Sequence, residues 1–135
     1  MQHYIFTLAI AVRDYELDSE GIVNNAHYLH YLEHTRHAWV KSRGCSFAHM
    51  AAHGIVPVVS RIEIDYKSPL RSGDIIDSRL WVERRGVRCL FHQDIYNQAT
   101  GQLVVRAVVS IVTLVGGQLS RSEELWQQLG MGNEQ

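Results

Sequence analysis

The chain has 135 residues, 46% of them hydrophobic and 20% charged, which is the composition of a globular domain with one core. Thirteen Lys and Arg against fourteen Asp and Glu leave a net charge of -1, without the basic excess of a general nucleic-acid binder. Two cysteines, Cys45 and Cys89, make no disulfide framework and fit free thiols in a reducing compartment.

No stretch reaches the ~18 consecutive apolar residues of a membrane span. The start, Met1 to Thr7, has no Lys or Arg and does not read as a secretion signal. The expectation is a single domain over residues 1–135, cytoplasmic, with a frayed tail at Gly132 to Gln135.

Alternation predicts a first strand from Tyr4 to Tyr15, covered on both faces. An irregular loop around Gly21 follows, from Glu16 to Val23. Asn24-Asn25 is a good helix cap, since an Asn side chain accepts an orphan amide hydrogen of the first turn. Apolar residues then recur at Ala26, Leu29, Leu32, Trp39 and Val40, predicting a helix that stops at Gly44. At ~1.5 Å per residue it is close to 30 Å long. Ser46 to His53 fits a short second helix.

Strands are predicted at Ile55–Tyr66, Ile75–Arg85, Val87–Asn97 and Leu103–Val115. The turns between them are Lys67 to Asp74, Gly86, and Gln98 to Gly101. Leu103–Val115 is nearly all apolar, so it is central or buried on both faces. Gly116-Gly117 ends it, and Ser122 to Leu129 reads as a closing helix. The fold class is α+β: a largely antiparallel sheet wrapped around one long helix.

Two motifs carry a family resemblance. The run from Arg13 to Leu29 places Asp18, then Gly21, then Ile22-Val23, just before the Asn24-Asn25 helix start. It resembles the opening of hotdog-fold acyl-CoA thioesterases, the 4-hydroxybenzoyl-CoA thioesterase-like group in particular. The strand and turn from Val58 to Asp74 are similar to the same family in the matching order.

The resemblance implies a hotdog fold, a curved antiparallel sheet around a central helix. It also implies homodimers joined edge to edge, with further pairing into tetramers, and active sites at the dimer interface. The implied reaction is hydrolysis of an acyl-CoA to acid and thiol. CoA is then part of the substrate, and neither a metal nor a separate cofactor is expected. Acyl carrier protein thioesterases and non-catalytic acyl-CoA-binding modules are the alternatives.

A thioester carbonyl needs a nucleophile or a base that activates water, and a carboxylate can serve as either. The resemblance assigns that role to Asp18. It assigns the oxyanion donor to the backbone amide of Asn25, where a helix start offers unpaired N–H groups and a positive dipole end. Gly21, Val23 and Asn24 are expected to border the substrate. Val59 and Ser60 match the strand that faces the acyl group. Arg84, Arg85 and Arg88 cluster around Gly86 and suit the phosphates of CoA.

One pattern competes. His27, His30, His34 and His37 fall on one face of the long helix, and His30-Tyr31-Leu32-Glu33-His34 spells a zinc-peptidase motif. A catalytic zinc needs a third protein ligand, and the surrounding sequence does not resemble the peptidase family. A partly exposed polar face is the simpler account.

Overall fold

A computed structural model describes residues 3–130. Its elements in order are β1 (Phe6–Ala11), a 3-10 turn (Asp14–Glu16), α1 (Asn25–Ser42), α2 (Phe47–Ala52), β2 (Ile55–Tyr66), β3 (Ile75–Arg85), β4 (Arg88–Asn97), β5 (Leu103–Val115), β6 (Gln118–Ser120) and α3 (Glu123–Gln128). The sheet is antiparallel in the order β1-β3-β4-β5-β2, with β6 added to β5. It curls around α1. β2 lies at one edge and pairs with β5 alone.

Strand alternation explains which face is covered. Ile76, Leu80 and Val82 of β3 and Cys89, Phe91 and Ile95 of β4 point inward and are buried. The buried residues of α1 are Tyr28, Tyr31, Leu32, Thr35, Arg36, Trp39 and Val40, at three- and four-residue steps. Trp39 meets Phe91 edge-on at 5.7 Å. Two polar ties fix the helix in register. Thr35 Oγ1 lies 2.7 Å from Ser78 Oγ, and Gln93 Nε2 donates to the Leu32 carbonyl at 3.0 Å. α3 adds Leu125 and Trp126 to the same core.

β2 behaves differently. Its inward residues include Val59, Ile62 and Tyr66, yet these stay 41%, 38% and 46% exposed. The strand alternates as a covered strand should, but among the described residues no strand pairs with its free edge and Val59, Ile62 and Tyr66 stay partly uncovered.

The long helix, the short second helix and the four strands from Ile55 onward stand where the sequence places them, within one or two residues. Three expectations change. The first strand is shorter than Tyr4–Tyr15, because Val12 N already bonds Asp74 O and the chain then turns through Asp14–Glu16. Gly116-Gly117 does not end the sheet: both glycines have positive φ, +60° and +84°, and form a tight hairpin into β6. A bulge in β2 between Val59 and Arg61 leaves Ser60 outside the ladder. The tail at Gly132 to Gln135 lies outside the described residues.

Candidate active site

The loop before α1 is held from three sides. Leu17 and Val23 pair as an isolated antiparallel bridge. Asp18 N donates to Ile22 O at 2.7 Å, and Gly21 N to Asp18 O at 3.1 Å. Val23 N reaches Leu70 O, and Asn24 N reaches Glu16 O, both at 2.9 Å. Gly21 sits at φ +80°, so the turn requires glycine for its backbone and not for space.

Asp18 is half-buried. Its Oδ1 accepts from Glu20 N at 2.8 Å and Ile22 N at 3.4 Å, while Oδ2 makes no hydrogen bond among the described residues. One oxygen therefore holds the side chain and the other is available. At the helix start, the Asn24 side chain caps Ala26 N at 2.9 Å, and His27 N bonds Asn24 O at 2.9 Å. The Asn25 amide takes neither acceptor and has no partner among the described residues. An unpaired N–H at the positive end of an 18-residue helix suits developing negative charge. Asp18, Gly21, Val23, Asn24 and Asn25 thus form one compact unit.

Three tyrosines around it carry no sequence signal of function. Tyr28, buried beneath the loop, has its pKa pushed up, first by burial and then by the charges of Tyr66 and Asp18. Its ring meets Tyr66 edge-on at 5.4 Å. Tyr31 donates to Glu16 Oε1 at 2.8 Å. Apolar spacing marks Tyr28 and Tyr31 as core; their polar ends find partners distant in sequence, which spacing cannot show.

The other candidate residues divide. Val59 lines a cavity of about 270 Å³ between α1, α2 and the inner face of β2. Ser60, one residue on, lines a depression of about 360 Å³ on the outer face with Arg61, Arg85 and Arg88. The bulge separates these neighbours. Arg85 and Arg88 are exposed and close across the β3–β4 hairpin.

Arg84 does not join them. It is 4% exposed, donates to Glu123 Oε2 and to the Arg121 carbonyl, both at 3.0 Å, and anchors α3. The phosphate role expected for Arg84 is inconsistent with that position. Strand parity carried the signal, since Ile76, Leu80 and Val82 share the register of Arg84. Arg61 joins Arg85 and Arg88 in the outer depression, and no sequence signal marked it.

Arg85 also lies far from Asp18 within one chain. Asp74 bonds Val12 beside the loop, and ten strand steps of ~3.3 Å separate Ile75 from Arg85. His30, His34 and Glu33 are exposed on α1, and among the described residues no group of three possible metal ligands occurs. No described helix is long and apolar enough to cross a membrane.

A curled antiparallel sheet around one helix, with a carboxylate loop at the helix start, defines the hotdog class. Residues 12–125 match the thioesterase-like superfamily, and the chain belongs to it. It is 36% identical over 102 residues to the putative acyl-CoA thioesterase YneP of Bacillus subtilis, covering 75% of this chain and 73% of that protein. It is 34% identical over 106 residues to the long-chain acyl-CoA thioesterase FadM of Escherichia coli, covering 78% and 80%. The crystal structure of YbaW, a probable thioesterase of Escherichia coli, superposes with a TM-score of 0.80 at 31% identity, covering 94% and 96%. Two Arabidopsis thaliana relatives, both acyl-acyl carrier protein thioesterases, match over 34% and 35% of their own length.

Proposed function

We propose that the protein hydrolyses acyl-CoA thioesters, with Asp18 as nucleophile or general base and the Asn25 amide as oxyanion donor. The observation that carries this reading is the pairing of a free Asp18 Oδ2 with an unpartnered Asn25 N–H on one loop-and-helix unit. As a base, Asp18 takes a proton from water and the resulting hydroxide adds to the carbonyl. As a nucleophile, it adds directly and water then cleaves the mixed anhydride. In either case the tetrahedral oxygen gains charge, the Asn25 N–H stabilises it, and the C–S bond breaks to release the CoA thiol.

The free β2 edge supports a homodimer. An unpaired edge with exposed Val58, Val59, Ile62 and Tyr66 is a template for a second strand. Antiparallel joining of two β2 edges turns the second copy end for end. Its Arg85 and Arg88 then lie at the end of the sheet that carries Asp18 of the first copy. We assign the CoA phosphates to Arg85 and Arg88, with Arg61 beside them. CoA is favoured over acyl carrier protein because the relatives matched over about three quarters of their length act, by name, on acyl-CoA.

The test is thiol release from a panel of acyl-CoAs by wild type and Asp18→Asn, with chelator present. Turnover that survives chelation and falls ~100-fold or more in the variant, ~2.7 kcal/mol of transition-state stabilisation, is expected. Equal rates overturn the role of Asp18. No turnover on any acyl-CoA overturns the reading in favour of a carrier-protein substrate or a binding role.

A further inference from the structure

A buried cation lines the inner cavity, and the proposed chemistry does not use it. Arg36 is 6% exposed. Its Nη1 donates to Gln93 Oε1 at 3.0 Å, and Gln93 is itself pinned through Nε2 to Leu32 O. Arg36 makes no other hydrogen bond or ion pair among the described residues. A guanidinium has five N–H donors. Ser122 Oγ is the only buried side-chain nitrogen or oxygen without a partner among the described residues, so the other Arg36 nitrogens are not sealed in protein and are open to a ligand in the cavity that Arg36 lines. Burial also pulls its pKa below the ordinary value, with the charge of Glu33 opposing that shift.

The cavity is lined by Glu33, Arg36, His37, Phe47, Val59 and Ile111, among others. It opens along the uncovered inner side of β2. Asn25, Leu29, Glu33 and Arg36 follow one another at three- and four-residue steps along one face of α1. One end of that stripe meets β2 where the Tyr66 hydroxyl approaches the Asn25 carbonyl at 3.5 Å; the other shares the cavity with Val59. Leu29 and Ile62 are each 38% exposed between these ends. This stretch of the α1 face leads from the oxyanion donor past Leu29 to the buried arginine. Eleven helical steps make it roughly 16 Å long. An extended alkyl chain, with bonds of ~1.5 Å in a zigzag, covers that in about twelve carbons.

The geometry points to an acyl chain of this length that carries a hydroxyl group at its far end. The inference rests on the thioesterase reading and names the substrate class of that site. Arg36 can only donate and Glu33 can only accept, and a hydroxyl satisfies both. A terminal carboxylate pairs with Arg36 but meets Glu33 as a like charge. A bare methyl end displaces water from the guanidinium without offering an acceptor in its place. Burial pulls the His37 pKa below its ordinary value, with the charge of Glu33 opposing that shift.

The experiment compares dodecanoyl-CoA, its ω-hydroxy form and its ω-carboxy form on wild type, Arg36→Met and Glu33→Gln. Wild type is expected to favour the ω-hydroxy form in kcat/KM by roughly tenfold or more over the plain chain. Arg36→Met brings that ratio close to one while still hydrolysing the plain chain. Glu33→Gln, at an exposed position, narrows it and improves the ω-carboxy form. A wild type without the preference, or a preference that survives Arg36→Met, overturns the inference. So does a preference for the ω-carboxy form, which would mark a plain anion site. If Arg36→Met does not fold, the wild-type ratio and the Glu33→Gln shift decide. Failure of the thioesterase reading shows separately, as no hydrolysis of any of the three. Thermal shifts with free ω-hydroxydodecanoic and dodecanoic acids then decide, and equal shifts overturn the inference.

Discussion

Tyr31 donates its hydroxyl to Glu16 Oε1 across 2.8 Å, and this bond fastens the loop that carries Asp18 to the buried face of α1. The same Glu16 oxygen accepts from Arg13 N at 2.8 Å, and the Glu16 carbonyl accepts from Asn24 N at 2.9 Å. One residue thus ties the approach to the loop, the helix cap and the helix body together.

Tyr31→Phe removes the fastening and keeps the ring. A net hydrogen bond of this kind is worth about 1 kcal/mol, so the variant folds with a modest fall in Tm. Its kcat falls about 3- to 10-fold, because Asp18 is held less closely, while KM changes little. Steady-state kinetics beside a melting curve separates the two effects. An unchanged kcat means that the loop is held without Tyr31.

The same contact shapes stability at alkaline pH. Burial, and then the hydrogen bond to Glu16, hold the Tyr31 pKa well above its ordinary value. Tyr4 is raised likewise, by burial and by its 2.5 Å bond to Asp94 Oδ2. The folded state then keeps protons that the unfolded chain releases above about pH 10. The stabilisation is complete below that pH and is lost as pH rises toward the folded pKa. Tm is expected to fall steeply above about pH 10, and the slope is shallower in Tyr31→Phe. Parallel slopes would show that Tyr31 ionises freely in the fold.

How far the sequence could be read follows from the range of each signal. Strand alternation and the α1 stripe are local and repeated, so the elements from Ile55 to Val115 and the long helix are legible. Within the Asp18-to-Asn25 loop the bonds of Asp18, Gly21 and Asn24 are equally local, whereas Val23 N reaches Leu70 O, 47 positions away. What was hidden is either nonlocal or a matter of parity. Glu16 and Tyr31 are 15 positions apart, and Arg36 and Gln93 are 57 apart. Val59 and Ser60 part company at a bulge that no residue type announces. Arg84 and Arg85 look alike as a cluster, but a strand must send neighbours to opposite faces.

Ser122 offers a test of strain. It has φ +50°, ψ +48°, and its buried hydroxyl has no hydrogen-bond partner among the described residues. Its backbone N and O are both bonded, to Ser120 Oγ and Trp126 N. Left-handed backbone costs a side-chain-bearing residue about 1 kcal/mol or more. Ser122→Gly relieves the strain and removes the orphan hydroxyl, so Tm is expected to rise by roughly 3–5 °C. Ser122→Ala removes the hydroxyl alone and gains less. A glycine variant that melts earlier than wild type contradicts this account.

The two outcomes at the β3–β4 hairpin separate binding from anchoring. Arg88 is exposed beside Arg61 and Arg85, so Arg88→Ala is expected to raise KM for acyl-CoA several-fold, more at low salt than at high, and to leave Tm nearly unchanged. Arg84 is the reverse case. Its side chain is 3% exposed, whereas that of its partner Glu123 is 44% exposed. Removing Glu123 takes the countercharge from a buried cation, which keeps its bond to the Arg121 carbonyl, but removing Arg84 leaves a carboxylate that water reaches. Glu123→Ala should therefore lower Tm more than Arg84→Met, and neither should move KM. A KM effect at Arg84 without a Tm effect would return it to the phosphate site.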